Sequence, residues 1–222
     1  MNALWIARKT HTNNGVDNDA LPILWLLRSG SEMELNLKKF VKREFGDDLE
    51  RALVFADVVE RNEHLKRLGC ADVFLDTPAY GAHTLGCDAI YMGMPMISLY
   101  RTAKDVEDTL TADSDSNLGI SSQLENRLIS TEKLASIVGA SLLYSISLDE
   151  FVVHDMESYQ NLMVKCATDI CWFDKIRERL VSLRNESPLF DTNRWVKNLE
   201  TAYLKMKTVN LNEIPDISVT EE

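Results

Sequence analysis

Short apolar runs alternate with charged stretches of helical period, and this alternation constrains the chain most. Residues 22–27 (PILWLL), 52–59 (ALVFADVV), 71–75 (ADVFL) and 96–99 (MISL) are strand-length and almost continuously apolar. Such runs read as strands buried on both faces. Between them lie Ser31–Phe45, with Met33, Leu35, Phe40 and Val41 among charges; Arg61–Leu68; and Thr84–Met92. Each ends at a glycine (Gly46, Gly69, Gly93), a helix stop, and Pro95 follows the last. Strand and helix in turn predict βαβ units and a parallel sheet, an α/β Rossmann-like domain.

The flanks are less regular. Asn2–Lys9 reads as a short strand, and residues 10–20 as a loop. Residues 101–131 are polar and acidic and predict a long insertion loop. Glu132–Ser141 resumes as helix, and Leu148–Val153 as a short strand or turn. From Ser158 to Leu183 a stripe of Tyr159, Leu162, Met163, Cys166, Ile170, Phe173, Ile176 and Leu180 predicts one helix of about seven turns. Ser187–Phe190 interrupts, and Asp191 or Thr192 can cap a last helix carrying Trp195, Leu199, Ala202 and Tyr203. The final dozen residues are polar and predicted to be loosely held.

Charge excludes some partners. With 35 acidic against 24 basic residues the net charge is −11, which repels nucleic acid and anionic membrane surfaces. Cys70, Cys87, Cys166 and Cys171 form no CxxC pair and no zinc-spaced Cys/His cluster, so reduced, mostly buried thiols are expected. No secretory h-region and no membrane-length apolar run are present, so a soluble protein of the cytoplasm or nucleus is expected.

Two neighbouring segments carry the chemistry. In Val59–Arg67, Arg61, His64 and Arg67 fall at i, i+3 and i+6 of a helix, a basic face at a strand's carboxyl edge; an anion site and a solvated helix face both fit. In Leu75–Asp88 a strand ends, a Gly/Pro loop follows and a helix begins near His83 and Thr84. The first N–H groups of that helix lack intrahelical partners and suit a phosphate, with the Thr84 hydroxyl beside them; an ordinary strand-to-helix turn also fits. Gly86 is placed for close helix–strand packing. Asp72, Asp76 and Asp88 show no ligand spacing for a metal, and structural roles are expected. Cys87 reads as a helix-buried thiol, and His11 and His154 have no evident partner. The residues alone reach an α/β domain with a candidate phosphate site.

A resemblance goes further. Ala71–Pro78 (ADVFLDTP), then His83, Thr84, Gly86 and Asp88, then Met92–Met96 (MGMPM), resemble the signature of the O-GlcNAc transferases of glycosyltransferase family 41. Pro22–Leu27, Glu132–Leu142, Ser187–Thr192, Leu199–Tyr203 and Asp216–Glu221 are similar to further family stretches. The likeness leaves out the first twenty residues and the 101–131 insertion. It implies the UDP-binding C-terminal half of a GT-B glycosyltransferase across residues 1–222, with C-terminal helices, and it implies that an N-terminal catalytic half is missing. The implied reaction is inverting, metal-free and cofactor-free transfer of GlcNAc from UDP-GlcNAc to Ser or Thr hydroxyls of protein acceptors.

Carried over by position, Val59 and Arg61 meet the uracil edge and ribose, His64 and Arg67 the uracil, His83, Thr84 and Leu85 the diphosphate, and Asp88 a ribose hydroxyl. Three departures stand out. Leu85 replaces a threonine, Arg61 a lysine, and Val59 with Glu60 an Ala-Pro pair. An upstream family lysine has no secure counterpart in Arg8 or Lys9. The catalytic residue is therefore unassigned. Two alternatives stay open: a non-catalytic remnant that binds UDP or a partner protein, and a protein O-fucosyltransferase of the same family.

Overall fold

The computed structural model describes residues 1–13, 21–102 and 133–208. Strand β1 (Leu24–Leu27) runs parallel to β2 (Leu53–Ala56), with Leu24 opposite Leu53 and Leu27 opposite Ala56. Helices α2 (Ser31–Phe45) and α3 (Asp47–Arg51) lie between them in the chain. After β2 come α4 (Arg61–Leu68), β3 (Phe74–Leu75), α5 (Thr84–Tyr91) and β4 (Met96–Leu99). Next are α6 (Leu134–Ser145), a 3-10 turn at Asp149–Phe151, β5 (Val152–Val153), α7 (Met156–Thr168) and α8 (Ile170–Glu186). A second 3-10 turn at Pro188–Phe190 leads into α9 (Thr192–Thr208). Strand β4 is central in a second parallel sheet of order β3-β4-β5.

The main core forms around β4, all of it buried. Met96, Ile97 and Leu99 pack with Ile90, Leu143, Ile146, Leu148, Phe151 and Leu180. Each such side chain contributes roughly 1.5–3 kcal/mol by leaving water. A smaller core of Leu4, Val41, Leu49, Ala52 and Leu53 covers one face of the β1–β2 pair. The loop after β2 leads into α4 and the loop after β3 leads into α5.

Several expectations are corrected. Asn2–Lys9 is not a strand: it belongs to α1 (Asn2–Asn13), whose Ala3, Leu4, Ala7 and Arg8 are buried on one helical stripe. The stripe from Ser158 to Leu183 is two helices, broken at Asp169, whose carboxylate accepts the Trp172 N–H at 3.2 Å and caps α8. Asp155 caps α7 in the same way, through Ser158 N at 2.7 Å. Strand β1 is not buried on both faces: Leu24, Trp25 and Leu26 are half-buried and Leu27 is exposed. Strands β1, β2 and β3 are shorter than their apolar runs, so Val59 sits in the loop before α4, whereas β4 spans its run in full. Of the cysteines, Cys70 and Cys171 are exposed rather than buried. The expected insertion, beyond Arg101 and Thr102, and the C-terminal dozen lie outside the described residues. No described helix is long and apolar enough to cross a membrane.

Candidate functional site

The site is built where β3 turns into α5. Strand β3 ends at Leu75, and the Asp76 N–H still donates to Ile97 O of β4 at 3.0 Å. The Asp76 carboxylate folds back beneath the following loop, accepting the Ala82 N–H at 2.5 Å and the Ser98 hydroxyl at 2.6 Å. The first turn of α6 holds the same loop from its other side. Gly81 N donates to Ala135 O at 2.6 Å, Ser136 Oγ to Ala79 O at 3.1 Å, and His83 Nε2 lies 3.3 Å from Ala135 O. The Tyr80 ring stacks on His83 with centroids 5.1 Å apart.

Helix α5 then starts with His83 as its N-cap and no side chain closing the end. Its first intrahelical bond runs from Cys87 N to His83 O at 3.1 Å, which leaves the N–H groups of Thr84, Leu85 and Gly86 without helical partners. Thr84 and Leu85 are exposed and Gly86 is buried, so the positive end of the helix dipole and the Thr84 hydroxyl reach solvent at the first two of these residues. Gly86 allows the close packing expected of it. A Cβ there would come 3.0 Å from Leu142 Cδ1, 3.1 Å from Ala82 Cβ and 3.3 Å from Met96 Sδ.

Helix α4 lies against α5 through Arg61, whose guanidinium grips Asp88 with Nη1–Oδ2 and Nη2–Oδ1 distances of 3.0 and 2.7 Å. Asp88 is buried while the Arg61 side chain is largely exposed. One turn on, His64 is half-buried, and its Nε2 is shut away from solvent with no hydrogen-bond partner. Arg67 donates to Asp57 O at 3.2 Å and pairs with Glu63 at 3.5 Å, tying α4 to the end of β2. Val59 is half-buried in the loop that leads into α4. The structure thus joins Arg61 to Asp88 directly and sets His83, Thr84 and Leu85 at the open end of the same helix.

The competing features have structural partners. His11 Nε2 contacts Ala167 O at 2.6 Å, and His154 Nδ1 contacts Tyr100 O at 2.8 Å. Asp72 pairs with Arg177 at 3.1 Å. Burial pushes the Cys87 thiol up, with help from the neighbouring Asp88 charge, and this disfavours the thiolate. Cys166 is pushed up to about 12 by its burial. Arg8, one counterpart weighed for the upstream lysine, is pinned by Asp48 and Pro22 O. Among the described residues no three His, Cys, Asp or Glu side chains gather to hold a metal. A cavity of about 330 Å³ opens between α1, α2 and α7, lined by residues such as Phe40, Phe45, Met156 and Tyr159, and none of the eight site residues faces it.

The sequence does not reveal the residues that shape the loop: the partners of Asp76, and the roles of Tyr80, Ala135 and Ser136, appear only in the folded chain. Their contacts span 52 to 57 positions where α6 is concerned, so no local spacing announces them.

Residues 13–124 and 127–199 match the model of glycosyl transferase family 41. The chain is 32% identical over 184 residues to a probable UDP-N-acetylglucosamine–peptide N-acetylglucosaminyltransferase, SEC, of Arabidopsis thaliana, covering 82% of this chain and 16% of that protein. It is 29% identical over 185 residues to the UDP-N-acetylglucosamine–peptide N-acetylglucosaminyltransferase of Caenorhabditis elegans, covering 83% of this chain and 13% of that protein. Among solved structures, a mutant O-GlcNAc transferase of Thermobaculum terrenum superposes with a TM-score of 0.66 at 19% identity, over 93% of this chain and 33% of that one. That likeness shows a shared fold, the α/β Rossmann-like arrangement of a GT-B enzyme. The chain spans 16% and 13% of the length of the two relatives.

Proposed function

The chain belongs to glycosyl transferase family 41, and on that premise we propose that it supplies the nucleotide site of a protein O-GlcNAc transferase, holding UDP-GlcNAc by its UDP. The observation that carries the reading is the uncapped N-terminus of α5 beside His83 and Thr84. Helix α4, joined to α5 through Arg61 and Asp88, adds His64, whose Nε2 is buried without a partner. A uracil presents hydrogen-bonding groups that suit His64 and Arg67. A diphosphate suits the exposed first turn of α5 at Thr84 and Leu85, the Thr84 hydroxyl and His83. The Arg61–Asp88 pair, which ties α4 to α5, would meet the ribose, and Val59 in the loop before α4 would meet the base.

In this reading the protein groups at α5 meet the diphosphate without a metal ion. As the bond from the sugar to UDP breaks, negative charge grows on the leaving phosphate. The α5 amides and His83 are fixed in advance to stabilise it. A Ser or Thr hydroxyl of an acceptor protein would attack from the open side, positioned by a second domain. Reduced cysteines and an acidic surface fit a cytoplasmic or nuclear setting.

Two observations favour binding without turnover as a second reading. Leu85 is 51% exposed at the place where the family resemblance implies a hydroxyl, and the Asp88 carboxylate is already gripped by Arg61. The test is calorimetric titration of UDP, GDP and inorganic pyrophosphate into the chain. Saturable binding of UDP at least about tenfold tighter than GDP, a difference of roughly 1.4 kcal/mol, supports the site. Equal affinity for UDP and GDP, or none for either, contradicts it.

A further inference from the structure

Asp76 has no place among the nucleotide contacts, yet it is the most heavily tied side chain beneath them. It is 3% exposed. Its N–H reaches β4 at Ile97, its carboxylate takes the Ser98 hydroxyl and the Ala82 N–H, and its carbonyl accepts the Tyr159 hydroxyl of α7 at 2.7 Å. Helix α6 presses on it from the remaining side: a Cβ at Gly139 would fall 2.0 Å from Asp76 Oδ2 and 2.7 Å from Ser98 Oγ. Strand β4 and helices α6 and α7 therefore converge on this one residue, β4 and α6 on its carboxylate and α7 on its carbonyl.

What that carboxylate holds is the residue just before the N-cap of α5. Ala82 gives its N–H to Asp76 and so turns it inward, away from any ligand. His83 follows at once, and its carbonyl closes the first turn of α5. The direction of the next three amides thus depends on where Ala82 is fixed. Hydrogen bonds to an ionised acceptor are short and directional, which suits a carboxylate to this task.

We propose that Asp76 is a positioning residue for the diphosphate end of the site, acting through Ala82 to aim His83 and the first α5 amides at a bound phosphate. The inference rests on the nucleotide reading above and deepens it. It separates the two ends of the ligand: α4 serves the nucleoside and does not depend on Asp76, whereas the α5 terminus does.

The test uses the full chain and two probes, UDP and uridine, titrated by calorimetry into the wild type, Asp76→Ala and Asp76→Asn, with circular dichroism and melting to establish folding. Asp76→Ala should lower the ratio of UDP to uridine affinity by about tenfold or more, with uridine affinity changed by less than about twofold. Asp76→Asn keeps an acceptor for Ala82 N–H, and the Ser98 hydroxyl can turn to accept from its amide. Its ratio should stay within about threefold of wild type. A folded Asp76→Ala that keeps the ratio, or weakens both ligands alike, overturns the inference, as does an Asp76→Asn no better than Asp76→Ala. If Asp76→Ala does not fold, Ser98→Ala takes its place: a ratio lowered about threefold supports the inference and an unchanged one overturns it. A folded wild type that binds neither probe defeats the nucleotide reading itself. Wild-type binding of UDP with an unmoved ratio in the variants defeats the role of Asp76 alone.

Discussion

Arg61 and Asp88 stand 27 positions apart, yet they meet as a two-pronged ion pair that joins the first residue of α4 to the second turn of α5. The buried partner is the carboxylate, so the guanidinium both satisfies it and orients it. If the two act as one unit on the ribose, their removal is not additive. Arg61→Met and Asp88→Asn should each weaken UDP binding by about tenfold, and the double variant should be little worse than the weaker single one. A double-mutant cycle on UDP affinity decides this, and full additivity would mean that the pair does not work jointly.

Leu85 offers a gain-of-affinity test. It is exposed in the first turn of α5, next to amides that have no helical partner. Leu85→Thr adds a hydroxyl there without disturbing the core. UDP should bind about tenfold tighter, as one further hydrogen bond to a charged group allows, while uridine affinity stays constant. The same gain for both ligands would place Leu85 away from the phosphates.

The glycines of α5 and α6 give contrasting stability predictions. A methyl at Gly139 meets a carboxylate held in place by Ser98 and Ala82, so something must shift. A methyl at Gly86 meets Leu142 Cδ1 at 3.0 Å, the end of a side chain that can turn aside, and Ala82 Cβ at 3.1 Å, which must give by only a few tenths of an ångström. Both changes gain about 1 kcal/mol of helix propensity. Gly139→Ala should lose roughly 2 kcal/mol net, and Gly86→Ala should stay within about 1 kcal/mol of wild type. Urea unfolding of the two variants compares them.

Burial holds the Asp76 carboxyl above its ordinary value of 3.8, outweighing the bonds from Ser98, Ala82 and Thr77 and the attraction of His83. A carboxyl with a raised folded pKa binds its proton more tightly in the native state. Its favourable contribution is then complete below 3.8 and is lost as pH rises through the folded value. Asp76→Asn has no such proton. The stability of wild type minus that of Asp76→Asn should therefore fall as pH rises from below 3.8 and level off above the folded pKa. Chemical denaturation of both proteins across this range measures it, and a difference that rises with pH would contradict the burial argument.

Much of this was legible in the chain itself, and the reasons differ by element. The strands announce themselves because parallel strands need apolar runs, and glycines mark where the intervening helices stop. The His83–Asp88 segment stands out because a helix beginning after a Gly/Pro loop leaves open amides. Asn2–Lys9 misled because a run that short carries too few turns to reveal its helical period. Asp169 hid inside an apolar stripe that continues across it, and only its side-chain bond to Trp172 N shows that a new helix starts there. The ties from Ala135, Ser136, Gly139 and Tyr159 to the loop around Asp76 were invisible, since they come from helices far along the chain and depend on tertiary packing.

The most direct test of the nucleotide site is a proton NMR titration of the four histidine rings with UDP. His64 and His83 lie in the candidate site, whereas His11 and His154 are held by backbone carbonyls elsewhere. The His64 and His83 ring signals should shift and saturate together while those of His11 and His154 stay in place. Saturable UDP binding that leaves His64 and His83 unmoved, or that moves His11 or His154 instead, would contradict this.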